Sequence, residues 1–297
     1  MSDAAPYTGE PRETRLRGTG ADVVIGHGQR FCLIGERINP TGRRIFQEQL
    51  RAGDMSAIEK DVQAQVEGGA DVLDVNMGVP LTDEPELLAK AIQLVQSLTD
   101  KPICIDSSVV EALEAGLSVY QGRALVNSIT AEDDRMAAIL PLVKKYDAAI
   151  IALPNDHDEI PMEADKRVRL TEKIIRVATE EYGIAADDIV IDPLAMPIGA
   201  DTTTSLVTFD TMRQIRDRFG VNMTCGASNT SFGMPDRHTL NSVWLPMAMT
   251  AGLTSAIMDA RTPQIVDAVK AADVFLGHDD WGMAWISAHR AKQAATA

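Results

Sequence analysis

Short apolar runs rich in Val and Ile recur along the chain, and longer stretches with helical spacing separate them. The runs fall at 31–34, 72–75, 103–105, 124–126, 148–153, 189–191, 221–225 and 255–258. Continuous apolar runs of this length suit strands buried on both faces, as in a parallel sheet. The spacing predicts a helix after Asp83, with Leu88, Ala91, Ile92, Val95 and Leu98 on one face. Asp83 and Glu86 are placed as a capping box at its start. A second helix is expected from about 163 to 182, with Leu170, Ile174, Val177 and Ala178 on one face and Gly183 at its C-cap. Eight strand–helix repeats predict an α/β fold, a closed (β/α)8 TIM barrel over residues 31–276. An open doubly wound sheet fits less well. Its first strand should lead into a Gly-rich turn, whereas here the chain continues Glu36-Arg37-Ile38-Asn39-Pro40-Thr41-Gly42.

The ends of the chain are expected to be accessory. Residues 1–30 are read as an arm and a hairpin. The first twenty residues lack apolar periodicity and are expected to be loose. Val23-Val24-Ile25 and the run 31–34 flank Gly26-His27-Gly28-Gln29, which predicts a β-hairpin. Residues 277–297 are expected to form a helical tail packed on the barrel. Trp281 and Trp285, four apart, would share one helix face there, against the barrel wall or a second subunit.

Composition narrows the class. The chain has 297 residues, 45% apolar and 24% charged, as an ordinary globular protein has. The longest apolar run, 148–153, is far short of the ~20 residues that a membrane helix needs. No basic-then-apolar leader opens the sequence, so a cytoplasmic location is expected. A net charge of −15 argues against nucleic acid as a partner. Cys32, Cys104 and Cys225 are far apart, inside apolar runs, and read as reduced, buried thiols.

The chemistry should lie at the C-terminal ends of the strands. Every one of the eight expected ends is polar: Glu36 and Asn39; Asp74 and Asn76; Asp106; Asn127; Asn155 and Asp156; Asp192; Ser228 and Asn229; and Asp259. Asp and Asn also begin turns and cap helices, which accounts for some of these positions. All eight together suggest a site. Carboxylates accept hydrogen bonds and amides both give and accept, so the set suits a flat heterocycle such as the aminopyrimidinone edge of a pterin. The five histidines fall outside the strand ends, and no bound metal is expected.

Ile34-Gly35-Glu36-Arg37-Ile38-Asn39, Gly68 through Asn76, Cys104-Ile105-Asp106-Ser107, Val126-Asn127-Ser128, Ile191-Asp192-Pro193-Leu194 and Gly226 through Ser231 resemble the pterin-binding barrels. Taken in order, from Leu33 to Ala260, they are most similar to methyltetrahydrofolate:corrinoid protein methyltransferases, including the folate module of cobalamin-dependent methionine synthase. The resemblance implies methyl transfer between N5 of tetrahydrofolate and the cobalt of a corrinoid. Tetrahydrofolate or 5-methyltetrahydrofolate is then the substrate. The cobalamin is expected on a separate corrinoid protein, because Asp156-His157-Asp158 lacks the glycine of the Asp-x-His-x-x-Gly signature. A homodimer is expected. The resemblance implies that Asp106, Asn127 and Asp192 bind the pterin edge, that Asn229 hydrogen-bonds near N5, and that Arg237 matches an arginine of the same loop. Glu36, Asn39, Asp74, Asn76, Ser228 and Asp259 are further candidates. Asn229 could instead serve as a helix cap. Dihydropteroate synthase is the alternative, sharing the equivalents of Asp106, Asn127 and Asp192. It requires a lysine near the seventh strand end and an Arg-x-His after the eighth, and this chain has neither. A barrel that only holds folate is the non-enzymatic alternative.

Overall fold

The computed structural model describes residues 6–157 and 160–296. Strands β1 (Glu13–Leu16) and β2 (Val23–Gly26) pair antiparallel. The eight-stranded sheet follows: β3 (Cys32–Ile38), β4 (Val72–Asn76), β5 (Ile103–Asp106), β6 (Leu125–Thr130), β7 (Ala149–Leu153), β8 (Ile189–Ile191), β9 (Asn222–Met223) and β10 (Ser255–Met258). Neighbours in sequence are neighbours in the sheet, all parallel, and β10 returns to pair with β3. The Ile257 N–H donates to the Cys225 C=O at 2.9 Å and closes the ring between β9 and β10. This is the (β/α)8 barrel.

The helices are α1 (Arg44–Arg51), α2 (Ser56–Gly68), α3 (Glu84–Leu98), α4 (Val110–Val119), α5 (Asp133–Lys145), α6 (Ala164–Arg176), α7 (Thr204–Phe219), α8 (Arg237–Ala251), α9 (Pro263–Leu276) and α10 (Met283–Thr296). Helix α3 starts as its sequence requires: the Asp83 carboxylate accepts from the Glu86 N–H at 3.1 Å. Glu86 itself pairs with Lys90 at 2.6 Å. Leu88, Ala91, Ile92 and Val95 are buried, while Leu98 stays 43% exposed on the last turn. Helix α6 continues as a π-helical turn, Val177–Glu181, and the chain leaves it at Gly183 with φ 64°. No helix among the described residues is long and apolar enough to cross a membrane.

Strand alternation divides the apolar side chains into two cores. One, between sheet and helices, holds Leu73, Val75, Ile103, Ile105 and Ile150 with the inward faces of the helices. The other fills the barrel lumen with Cys32, Ile34, Val72, Cys104, Leu125, Ala149, Ile151 and Val190. Leu16 and Ile25 of the β1–β2 pair belong to the lumen core.

Three expectations about the chain ends are corrected. The segment expected to be loose contains β1, held against the barrel base. Asn222 of β9 donates from Nδ2 to the Thr14 Oγ1 at 3.0 Å and the Ile25 C=O at 2.9 Å. β1 carries one strongly apolar residue, Leu16, too little to register as a periodic run. The hairpin is therefore formed by β1 with β2, and not by β2 with the run at 31–34. That run is the first barrel strand, and its neighbours β10 and β4 take both its edges. The tryptophans do not share a helix face. Trp281 lies in the turn Asp280–Gly282 with φ 57°, is 93% exposed, and precedes α10, which contains Trp285.

Candidate functional site

The alternation that fills the lumen with Cys32 and Ile34 brings Glu36 inward one step higher. In the same phase come Asp74 and Asn76, Asp106, Asn127 and Asp192. Register joins them: Asn76 lies beside Asp106, and Asp106 beside Asn127. The result is a layer of acids and amides directly above an apolar plug.

The groups hold one another. Asn76 Nδ2 donates to Asp106 Oδ2 at 3.0 Å, and Asn127 Nδ2 donates to Asp74 Oδ1 at 3.2 Å. Asn76 Oδ1 accepts from the Gly78 N–H at 2.9 Å. Asp192 Oδ1 accepts from the Leu194 N–H at 2.8 Å. Among the described residues, Asp106 Oδ1, Asn127 Oδ1 and Asp192 Oδ2 have no hydrogen-bond partner in the protein. Each of these three side chains is half-buried, anchored by one atom and free at the other.

Burial sets their electrostatics, because a low-dielectric site disfavours charge. Burial, with the Asp106 carboxylate next to it, pushes Asp74 far above the usual carboxylate range. Burial raises Asp106 to about 6, against the Asn76 hydrogen bond. It also raises Asp192 to about 6, against the Leu194 N–H and the Arg167 charge. Glu36 is pushed up to about 7 by burial and by the Asp259 carboxylate. Cys104, also in the lumen, is raised by burial and by Asp74.

Not every polar strand end contributes. β7 presents Leu153 to the lumen, and β10 presents Ile257. Asn155 and Asp156 follow β7 in the loop, where the Asn155 C=O accepts from the Ala131 N–H at 2.9 Å. Asn39 Oδ1 accepts from the Thr41 N–H at 2.8 Å, an ordinary Asx turn. Asp259 is occupied by Gln65 Nε2 at 2.8 Å and by both arms of Arg261 at 2.9 and 2.7 Å. Its burial would raise it, but these donors hold it down at about 2. The polar layer thus comes from β3, β4, β5, β6 and β8, and the loop after β9 completes the mouth.

That loop turns through Ala227–Asn229, with the Asn229 N–H donating to the Gly226 C=O at 3.1 Å. Ser228 Oγ lies 3.5 Å from Glu36 Oε1. The Asn229 side chain is exposed over Gly226, whose missing Cβ would meet Asn229 Nδ2 at 2.9 Å. Helix α8 begins later, at Arg237, with Asp236 at its N-cap, so Asn229 is not its cap. Arg237 donates from Nη2 to the Ser228 C=O at 2.6 Å and from Nε to Ser231 Oγ at 3.2 Å.

One residue escaped the sequence reading. Arg167 of α6 is fully buried. Its Nη1 donates to the C=O groups of Pro193 and Leu194, each at 2.8 Å, and its Nε to the Pro161 C=O at 2.8 Å. Leu194 has φ 63°, a left-handed conformation costly for a branched side chain. The guanidinium therefore pins the strained turn that aims Asp192. Position 167 sits among Lys166 and Arg169 in a charged helix, so nothing in the sequence distinguished it.

The described residues also include one group with metal-ligand chemistry, on the rim. Glu132, Asp134 and His157 offer ligand atoms within 4.8 Å of one another, and the imidazole already pairs with both carboxylates. It lies apart from the lumen layer. Asp158 and Glu159, next along the loop, are outside the described residues. All three cysteines are free and buried.

A family model for pterin binding enzymes matches residues 35–259, nearly all of the barrel. The chain belongs to the pterin binding enzyme family. It is 31% identical over 255 residues to a methylcorrinoid:tetrahydrofolate methyltransferase of Eubacterium limosum, an alignment covering 84% of this chain and 92% of that protein. It is 33% identical over 243 residues to the methionine synthase of Mycobacterium leprae, covering 77% of this chain and 20% of that larger protein. Among solved structures, a dihydropteroate synthase of Xanthomonas albilineans in complex with 7,8-dihydropteroate matches with a TM-score of 0.69 at 18% identity, over 88% of this chain and 98% of that one. That likeness concerns the fold alone.

Proposed function

We propose that this barrel transfers a methyl group from a corrinoid carried by a separate protein to N5 of tetrahydrofolate, as a demethylation route requires. The observation that carries the reading is the lumen layer: three anchored side chains, Asp106, Asn127 and Asp192, each keep one acceptor atom for a ligand. An aminopyrimidinone edge brings ring N–H and amino donors to such acceptors. The Eubacterium limosum relative, matched over nearly its whole length, supports the methyl-transfer chemistry and the corrinoid partner. The chain is a methyltransferase rather than a synthase that expels pyrophosphate. An anionic leaving group needs cations, and the β9 loop brings only Arg237, whose guanidinium is engaged with Ser228 and Ser231.

In this reading Asn229 orients N5 from the loop, and Arg237 holds that loop in shape. Asn76 and Asp74 fix Asp106 and Asn127. Exposed Leu206, Val243 and Met247 on the adjacent helices α7 and α8 support the homodimer expectation.

The test is direct. Purified protein given tetrahydrofolate and methylcobalamin should form 5-methyltetrahydrofolate. Given para-aminobenzoate and the pterin pyrophosphate, it should form no dihydropteroate. Dihydropteroate without methyl transfer would move the chain to the synthase reading, and folate binding with neither product would leave a folate-holding barrel. Asp192→Asn tests the pterin edge. It replaces an acceptor by a donor and removes a charged hydrogen bond, worth ~1.5–3 kcal/mol, so folate affinity should fall at least about tenfold. Unchanged affinity by calorimetry would remove Asp192 from the site.

A further inference from the structure

Methyl transfer at N5 moves a proton, and the amide of Asn229 cannot carry it. On the methyl-transfer reading above, we propose that Glu36 is the group that exchanges this proton with N5, its carboxyl oriented by Ser228. Three observations converge on it. Glu36 is in the lumen phase of β3, at the level of the pterin-binding candidates. It lies 3.5 Å from Ser228 Oγ, on the residue next to Asn229, so it is beneath the loop assigned to N5. Unlike Asp106, Asp192 and Asp259, its carboxylate accepts no backbone or amide N–H among the described residues, and the Ser228 hydroxyl is the donor that points at it.

The surroundings suit reversible proton exchange. Asp259 beyond β10 faces Glu36 and favours its protonated form. Asp74 of β4 shares its surroundings and is itself pushed upward. Arg37 on its own strand, Arg237 of α8 and Arg261 after β10 act the other way. The balance leaves Glu36 at about 7, where both forms are populated near neutrality.

The step balances in both directions. Toward folate, the N5 lone pair forms the new N–C bond and the pair of the methyl–cobalt bond stays on cobalt. The N5 proton then passes to the Glu36 carboxylate and on to solvent. Away from folate, the cobalt pair forms the bond to carbon, the N–C pair stays on N5, and the Glu36 carboxylic acid supplies the proton. One group therefore predicts opposite pH dependences. Methylation of folate should speed up as pH rises through about 7, and demethylation should slow down.

The experiment is single-turnover methyl transfer from methylcobalamin to tetrahydrofolate and, separately, from 5-methyltetrahydrofolate to reduced cob(I)alamin, each from pH 6 to pH 8, with folate affinity measured alongside. Glu36→Gln should lower the rate by about 10²-fold, flatten both pH profiles, and leave folate affinity within about threefold. Glu36→Asp should retain the inflections at a reduced rate. A Glu36→Gln protein with the wild-type rate, or one slowed but with its inflections intact, would overturn the proposal. Should Glu36→Gln fail to fold, loss of the inflections in Glu36→Asp overturns it equally. Absence of transfer by the wild-type protein would overturn the methyl-transfer reading and this proposal together, whereas an active wild type with an equally active Glu36→Gln removes only this proposal.

Discussion

Asn229→Ala should reduce kcat for methyl transfer by about 10²–10³-fold, the scale of losing one preorganised donor at a reacting centre. The geometry separates this residue from a structural role. Its side chain is exposed on the loop after β9, the next helix starts only at Arg237 with Asp236 in the N-cap position, and no described residue hydrogen-bonds its amide. The backbone bonds of the turn, to Gly226 and from Phe232, use only its main chain and survive the substitution. Stability should therefore change by less than ~0.5 kcal/mol, as for an ordinary surface position. Folate affinity should fall far less than kcat, because the pterin edge is read by Asp106, Asn127 and Asp192, which the substitution leaves in place. A variant that melts early and keeps its kcat would return Asn229 to a structural role.

Arg167→Ala should cost the fold about 3 kcal/mol, since each buried carbonyl left without its donor costs ~1–3 kcal/mol and water refills part of the space. At ~2–4 °C per kcal/mol for a domain of this size, Tm falls by roughly 10 °C. Burial lowers the guanidinium to about 10, so it remains charged at neutral pH. It donates to Pro161, Pro193, Leu194 and Thr208, and holds the turn whose Leu194 N–H fixes Asp192. Folate affinity should fall at least about tenfold in the variant that remains folded, because the Asp192 carboxylate loses its fixed direction. Arg169→Ala, on the exposed face of the same helix, is the control and should leave both unchanged. An unaltered Tm for Arg167→Ala would show that the guanidinium does not hold the turn.

These two residues mark how far the sequence reaches into the site. Asn229 was legible because it lies in a motif, Gly226 through Ser231, and at a strand end that every parallel barrel uses for chemistry. Arg167 was not, because its partners are main-chain carbonyls and a hydroxyl spread from Pro161 to Thr208, which only the fold gathers round it, and no local pattern encodes them. The polar strand ends illustrate the same boundary. Glu36, Asp74, Asn76, Asp106, Asn127 and Asp192 share the lumen phase, which counting by twos along each strand recovers. Asn39 and Asp259 looked equivalent in sequence, yet one closes its own turn and the other is bound by Gln65 and Arg261.

By itself the sequence determined the barrel, its strand order and the polar character of its mouth. These follow from short-range rules: the apolar run that buries a strand on both faces, the 3.6-residue stripe that covers it, and the Asp or Gly that starts or ends a helix. The tertiary structure alone decided which polar groups face one another, which are consumed by neighbours, and how far burial shifts their protonation. It also decided that β1 joins β2 beneath the barrel, with Leu16 and Ile25 completing the lumen core. The reason is physical. Periodicity is a property of one segment and its solvent, whereas hydrogen-bond satisfaction and desolvation depend on groups that the closed ring brings together from distant parts of the chain.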